Sequence, residues 1–309
     1  MKKEQIERDF EKYQLEKKQN INNNKNINFI EMRKKIRPLF RKLLFVQRIL
    51  NKQTIEIISD QHIQENRGIV FAVSHIGKYD FEMVNEVLKE HFYVIASDYR
   101  NMHGNSNEFF LNLNGVIFVN ELSKEDKYYS KKMMEKILLN NDNIMIFPEG
   151  TWNISENEII MDTHLGAVAI SLSTNSIIVP IAIEQYDKNF KINIGKNFDP
   201  TKYVKDILNI DYSLLNENND KELIKKIQIE VNKVLRDEMA TLKYEIWATE
   251  PITIRNTIPD DYWPYFINDR VNEWPGYSMS EQIDSVVHTK EKKEYEEVQK
   301  TLNLLKRKK

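Results

Sequence analysis

The sequence predicts an α/β protein with a largely parallel or mixed sheet flanked by helices. Six short runs rich in Ile, Val and Phe lead to this prediction: GIVFAVS, FYVIAS, GVIFVN, NIMIFPE, SIIVPIAIE and FKINIG. Each run is nearly continuous in apolar residues, which is typical of strands that are buried on both faces. Helical stretches separate most of the runs, and such alternation indicates parallel strands that are joined by helical crossovers.

Two segments of different composition precede these strands. Residues 1–29 are rich in Lys, Glu and Asn and are expected to form a polar, loosely ordered N-terminus. Residues 30–60 are expected to form a basic amphipathic helical segment, because the stretch 33–52 holds eight Lys or Arg and no acid. Such a helix could lie on an anionic membrane surface, or it could pack on the main domain with a solvated basic face. The sequence leaves both alternatives open.

The main α/β domain is expected to span residues 61–210, and residues 211–309 to form a C-terminal extension packed on the same domain. A long helix is predicted from about Asn219 to Tyr244. The stretch 244–280 that follows is irregular and rich in tryptophan and proline. A packing belt across the domain is the favoured interpretation of this stretch, and a lid over an acyl or acceptor pocket is the alternative.

Composition excludes several classes of function. The formal net charge of −2 is a poor match for nucleic acid, and the absence of cysteine excludes disulfides and thiolate metal sites. The chain has no glycine-rich nucleotide loop, no apolar run long enough to span a bilayer and no secretory signal at its start. These features predict a cytosolic protein without a metal site and without a nucleic-acid partner.

A histidine and an aspartate follow the first buried run, in the stretch VSHIGKYD. His75 comes directly after a predicted strand, and the ends of strands are where an α/β fold presents its chemistry. Five positions on a regular helix would separate His75 from Asp80 by about 140°. The two side chains can therefore meet only if a turn precedes the helix, and Gly77 permits one.

Four blocks in this order resemble the glycerolipid acyltransferase family, the His-x4-Asp acyltransferases related to lysophosphatidic acid acyltransferase. The blocks are SHIGKYD, GVIFVNE, FPEGT and VPIAI, and the resemblance covers roughly residues 68–198. It implies that His75 is a general base, which takes the proton of an acceptor hydroxyl as that hydroxyl attacks an acyl thioester. Asp80 would hold the imidazole tautomer and stabilise the imidazolium.

The resemblance also assigns residues to the two substrates. Glu149, Gly150, Thr151 and Trp152 would form the acceptor side, with Glu149 binding a hydroxyl. Pro180 would lie on the acyl-donor side.

Three positions depart from the family pattern, and each departure removes a cation. Glu121 (or Asn120), Trp152 and His164 stand where the family commonly has arginine, arginine and lysine. Arginine is well suited to phosphate because its planar fork binds two oxygens. The sequence thus favours a lysophospholipid with a capped head group, a glycolipid or a sugar hydroxyl over a glycerol phosphate, unless Arg100 or Lys124 supplies the missing charge.

The sequence therefore predicts an O-acyltransferase of lipid metabolism and phospholipid biosynthesis. Acyl-CoA or acyl carrier protein would be the donor, and no cofactor is expected beyond that substrate. The protein would be cytoplasmic and peripheral on the inner face of an anionic membrane. The alternative is a catalytically silent lipid- or acyl-binding protein that keeps the same fold.

Overall fold

The structure is a computed structural model. It describes residues 2–22, 30–77, 79–97, 99–102, 106–120, 122–153, 159–186, 188–212 and 220–249. A seven-stranded sheet forms its centre. The strands are β1 (Thr54–Asp60), β2 (Ile69–Val73), β3 (Phe92–Ala96), β4 (Val116–Phe118), β5 (Asn143–Ile146), β6 (Ile177–Tyr186) and β7 (Asn189–Ile194).

The strand order across the sheet is β1-β7-β6-β2-β5-β3-β4, and every neighbouring pair is parallel except β6 and β7. Strands β2 to β6 therefore end at the same edge of the sheet. In particular, β2 and β5 are neighbours with Ala72 opposite Ile146, so the loops that follow these two strands lie side by side.

Helices cover both faces of the sheet. They are α1 (Lys2–Asn22), α2 (Ile30–Leu50), α3 (Asp80–Val87), α4 (Tyr99–Met102), α5 (Ser106–Asn114), α6 (Lys124–Leu139), α7 (Gly166–Thr174), α8 (Pro200–Ile207) and α9 (Lys221–Trp247). Alternate residues of β2 separate the two cores. Phe71 and Val73 pack with residues of α2, α3 and α5, and Val70 and Ala72 pack with residues of α6 to α9. The fold class is thus the predicted mixed sheet flanked by helices.

All six apolar runs form strands, but the sequence did not reveal β1. We expected residues 30–60 to be one helical segment, whereas α2 ends at Leu50 and Thr54–Asp60 pairs in parallel with β7. The boundary at residue 61 is therefore wrong, because β1 belongs to the main sheet. Its sequence TIEIISD mixes polar and apolar residues, since β1 is an edge strand with exposed side chains.

Helix α2 docks on the domain through its arginines. Arg37 is 4% exposed and donates hydrogen bonds to the main-chain carbonyls of Asn85, Leu88 and Lys89. Arg41 donates to the carbonyls of Glu86 and Val87. These five carbonyls lie at the C-terminal end of α3, where main-chain acceptors lack helical partners. Both alternatives for α2 placed its basic face away from the protein, and the structure corrects this orientation.

The outward face of α2 is apolar. Leu39, Leu43, Val46 and Leu50 recur at helical spacing and are 70%, 42%, 51% and 76% exposed. Pro38 lies inside the helix, as the sequence allowed. Within the described ranges, no helix is long and apolar enough to cross a bilayer.

Helix α1 packs on the domain through a buried lysine. Lys17 of α1 is 3% exposed, and its Nζ lies 2.6 Å from Asp126 Oδ1 and 2.9 Å from the Phe118 carbonyl oxygen. The long C-terminal helix α9 spans Lys221–Trp247, close to the predicted bounds. The rest of the aromatic-rich stretch, from residue 250 onward, lies outside the described residues, as do residues 23–29.

Candidate active site

The site lies at the edge of the sheet where β2 and β5 end. The β2–α3 loop carries His75, and the turn after β5 carries Glu149 and Gly150. The two loops are joined by main-chain contacts. The amide of Asn153 donates to the carbonyl of His75 (2.6 Å), and the amide of His75 donates to Glu149 Oε1 (2.9 Å).

His75 and Asp80 form a hydrogen-bonded pair. His75 Nδ1 lies 2.8 Å from Asp80 Oδ2, and the same oxygen accepts the amides of Ile76 (2.6 Å) and Gly77 (2.9 Å). Asp80 is the first residue of α3 and is fully buried. The carboxylate thus holds the turn and the imidazole together. The contact uses Nδ1, so His75 Nε2 does not take part in it.

Two aromatic side chains fix the ring of His75. Phe147 stacks on the imidazole with a centroid distance of 4.0 Å and an interplanar angle of 19°. Trp152 meets it edge-on at 6.1 Å and is 3% exposed. The His75 side chain is 20% exposed, so it keeps access to solvent or substrate.

Glu149 is buried, and both of its oxygens accept main-chain hydrogen bonds. Oε1 accepts the amide of His75, and Oε2 accepts the amide of Met161 (2.9 Å). Burial raises the pKa of the Glu149 carboxyl, while the charge of Lys243 and the two amides act in the opposite direction. The resemblance implied that Glu149 binds a substrate hydroxyl, whereas here its carboxylate links the His75 loop to the segment at Met161.

Gly150 allows the turn to close against His164. Its φ is +72°, which only glycine adopts readily, and a Cβ at this position would lie 2.7 Å from His164 Nε2. The amide of His164 donates to the carbonyl of Pro148 (2.8 Å), which completes the turn. The FPEGT block is therefore a tight turn that positions Glu149. Thr151 follows it and is half-buried.

A cavity of about 630 Å³ opens beside His75. Its walls are mostly apolar and come from the carboxyl ends of β3, β4 and β5 and from α6 and α7. Of the predicted site residues, His75, Gly150 and Trp152 line it, together with His164, whereas Asp80, Glu149 and Thr151 do not. A mainly apolar cavity with a few polar groups is typical of a small-molecule site.

Other residues singled out from the sequence lie elsewhere. Pro180 is in β6 opposite Ala72, with its ring toward Gly195, and it does not line the cavity. Arg100 contacts Glu7 and lies over the ring of Phe10 in α1. Neither Arg100 nor Lys124 lines the cavity in the described part of the chain, and Glu121 lies outside the described residues.

Sequence reasoning missed two cations that do line the cavity. Lys127 and Lys131 of α6 face it together with Ser130 and Met134. The spacing of these four positions, i, i+3, i+4 and i+7, defines one stripe of a helix. This spacing was visible after Ser123, which caps α6 by accepting the amide of Asp126 (3.1 Å) as its sequence predicts. The sequence could not show which stripe faces a cavity.

Comparison with known proteins identifies the part of the chain that carries this site. Residues 54–184 match the family model described as Acyltransferase. The matched segment is similar to acyltransferase domains. It begins at β1 and ends within β6, so it contains His75, Asp80 and the FPEGT turn. The match supports the resemblance to glycerolipid acyltransferases that the four sequence blocks indicated.

One solved structure similar to the chain is the 1-acyl-sn-glycerophosphate (LPA) acyltransferase PlsC from Thermotoga maritima. The two chains share 12% sequence identity, and the TM-score is 0.47. The alignment covers 68% of this chain and 83% of the other. No curated protein matches the sequence of the chain. The similarity of residues 54–184 to acyltransferases thus rests on the family match.

Proposed function

We propose that the protein is an O-acyltransferase that moves a fatty acyl group from acyl-CoA or acyl carrier protein to a hydroxyl of a lysophospholipid or glycolipid. The observation that carries this proposal is the His75–Asp80 pair at the mouth of a mainly apolar cavity within an acyltransferase domain. The apolar walls suit an acyl chain, and the histidine suits the hydroxyl that must be activated.

The proposed reaction needs one base and no cofactor beyond the thioester donor. With Nδ1–H donated to Asp80, His75 Nε2 takes the proton of the acceptor hydroxyl while the oxygen attacks the thioester carbonyl. The tetrahedral intermediate then breaks its C–S bond. The imidazolium returns the proton to the departing thiolate, which leaves an ester and a free thiol.

Loss of the family's cations favours an acceptor without a phosphomonoester. Trp152 packs beside His75 where the family commonly has an arginine, and a tryptophan offers an apolar face and one donor. A phosphomonoester carries close to two negative charges and is commonly bound through arginine forks. Glycerol 3-phosphate and lysophosphatidic acid should therefore be poor acceptors.

The test is a direct competition between acceptors for one acyl-CoA. Thiol release and ester products are measured with lysophosphatidic acid, a lysophospholipid with a capped head group and a glycolipid. We expect the capped acceptors to be acylated faster. Equal or faster acylation of lysophosphatidic acid would contradict the acceptor assignment. Tight acyl-CoA binding with no turnover on any acceptor would favour the silent lipid-binding alternative.

We also propose that the protein acts on the cytoplasmic face of a membrane, and the exposed stripe of α2 supports contact with lipid. Leu39, Leu43, Val46 and Leu50 would enter the interface, and the exposed Lys35 and Lys42 on the same helix would meet anionic head groups. Because Arg37 is buried, charge reversal there would disturb docking of α2 and would not report on lipid binding.

Vesicle binding checks this surface. The double variant Leu39→Glu/Val46→Glu should bind anionic vesicles at least about tenfold more weakly, since each buried apolar side chain contributes roughly 1.5–3 kcal/mol. Ile207→Glu is the matched control, because Ile207 is 65% exposed on α8. Co-sedimentation measures the partition. Unchanged binding of the double variant would show that α2 does not contact lipid.

A further inference from the structure

The stripe of α6 that lines the cavity changes from cationic to apolar along the helix. Lys127 and Lys131 stand toward the N-terminal end, and Met134 stands one turn further on. Because α6 follows β4, its N-terminal end lies at the same edge of the sheet as the His75 loop. The cavity thus has cationic groups near the level of the catalytic pair and apolar groups below them.

The acids near this end of α6 pair mainly with lysines that do not line the cavity. Asp126 and Glu125 pair with Lys17 (2.6 Å) and Lys18 (2.7 Å) of α1. Lys127 makes no ion pair with any described residue, and the acid near Lys131, Glu135 at 3.7 Å, lies closer to Lys132 at 2.7 Å. The described lining contains no carboxylate at all. Lys127 and Lys131 thus give the described cavity lining cationic side chains and no acid, which favours an anionic ligand.

We propose that Lys127 and Lys131 bind the phosphodiester of the acceptor, so that the acceptor is a lysophospholipid. This inference rests on the proposed function and narrows its acceptor to one of the two classes. Lysine binds phosphate as a point charge, so these two lysines can hold the phosphodiester of an acceptor without the arginine forks that commonly bind a monoester.

The acceptor accounts for a phosphate near the catalytic pair better than the donor does. In a glycerol-based lysophospholipid the free hydroxyl and the phosphate ester sit on nearby carbons of the glycerol. In acyl-CoA the whole pantetheine arm separates the thioester from the phosphates. With the reacting carbonyl beside His75, the acceptor phosphate would stay within the cavity mouth, while the phosphates of CoA would extend beyond it.

Direct binding of two single-chain probes tests the site without requiring turnover. Methyl decyl phosphate carries a phosphodiester and no hydroxyl, and decyl maltoside is an uncharged counterpart. We expect Lys127→Ala/Lys131→Ala to weaken binding of the phosphodiester about tenfold, as measured by calorimetry, with binding of the maltoside changed less than about twofold. Lys124→Ala is the matched control, since Lys124 is an exposed cation of the same helix that does not line the cavity.

Kinetics then distinguish the two sources of phosphate. For the double variant, KM for a lysophosphatidylglycerol should rise about tenfold while KM for acyl-CoA stays the same. A rise confined to acyl-CoA would overturn the proposal in favour of a donor site. Equal binding of methyl decyl phosphate by all variants would also overturn it. If the wild-type protein transfers no acyl group but binds methyl decyl phosphate through the two lysines, the phosphodiester site is confirmed and the proposed function is refuted.

Discussion

The His75 loop and the α6 wall of the cavity are built in opposite ways. Around His75, the groups that position the base have defined partners: Asp80 Oδ2 accepts three bonds, and Glu149 accepts two main-chain amides. Along α6, Lys127 has no ion pair among the described residues and can reorient. The difference indicates that the catalytic base is held by the protein, while the acceptor side can change its charge without disturbing that base.

The largest effect should come from removing the base. His75→Ala is expected to lower kcat by about 10²–10⁴ with little change in thermal stability, because the side chain is partly exposed at the end of a strand. Asp80→Asn should also be severely impaired, through loss of tautomer control and of the oxygen that accepts the turn amides. Turnover with purified substrates and a melting curve check both. Near-normal turnover by folded His75→Ala protein would refute the mechanism.

A smaller effect should follow from disturbing only the support of the loop. In Glu149→Gln one oxygen is replaced by an amide nitrogen, so the amide of His75 or of Met161 loses its acceptor. We expect kcat to fall roughly 10- to 100-fold with KM nearly unchanged, and Tm to fall by about 4 °C.

Glu184→Gln provides the matched control for this variant. Glu184 is also a buried carboxylate, and it accepts the indole N–H of Trp247 (2.9 Å) away from the cavity. Its replacement should lower Tm without a comparable fall in kcat. If Glu149→Gln instead raises KM for the acceptor and leaves kcat intact, Glu149 binds the substrate hydroxyl as the family resemblance implied.

The smallest effect concerns pH and lies outside both regions. Hydrogen bonds from His62 to Glu90 and Asp60 raise the pKa of His62 to about 9. Since this pKa is above the ordinary value of about 6.5, the stabilisation is complete below pH 6.5 and is lost as the pH rises through 9. We expect Tm to fall by about 3 °C between pH 6.5 and 9.5, and His62→Gln to flatten this slope. If Tm of His62→Gln still falls over this pH range, the pH dependence of stability comes from another group.

Local patterns in the sequence predicted the sheet and the histidine–aspartate pair. Continuous apolar runs predicted six strands, and Gly77 predicted the turn that lets His75 reach Asp80. Strand β1 and the wall of the cavity could not be predicted, because they depend on which parts of the chain pack against each other in space. Strand β1 has the mixed pattern of an edge, and a helical stripe such as Lys127–Met134 says nothing of whether solvent, a helix or a cavity faces it.

Motif resemblance was informative about chemistry and less so about individual side chains. It led to Glu149, but no sequence pattern shows that both carboxylate oxygens are occupied by main-chain amides. The arginines of α2 make the same point. Their number predicted a basic helix, while the carbonyls that Arg37 and Arg41 bind lie at the end of α3, 45 to 52 positions away along the chain.

The attachment of α2 to α3 sets the minimum length of an active fragment. The family match starts at Thr54, so a truncation there would keep every motif residue and remove Arg37 and Arg41. Five main-chain carbonyls at the end of α3 would then lose their donors, on the eight-residue helix that begins with Asp80. A fragment cut at the edges of the family match should therefore misplace Asp80, and an active fragment needs to begin before Ile30.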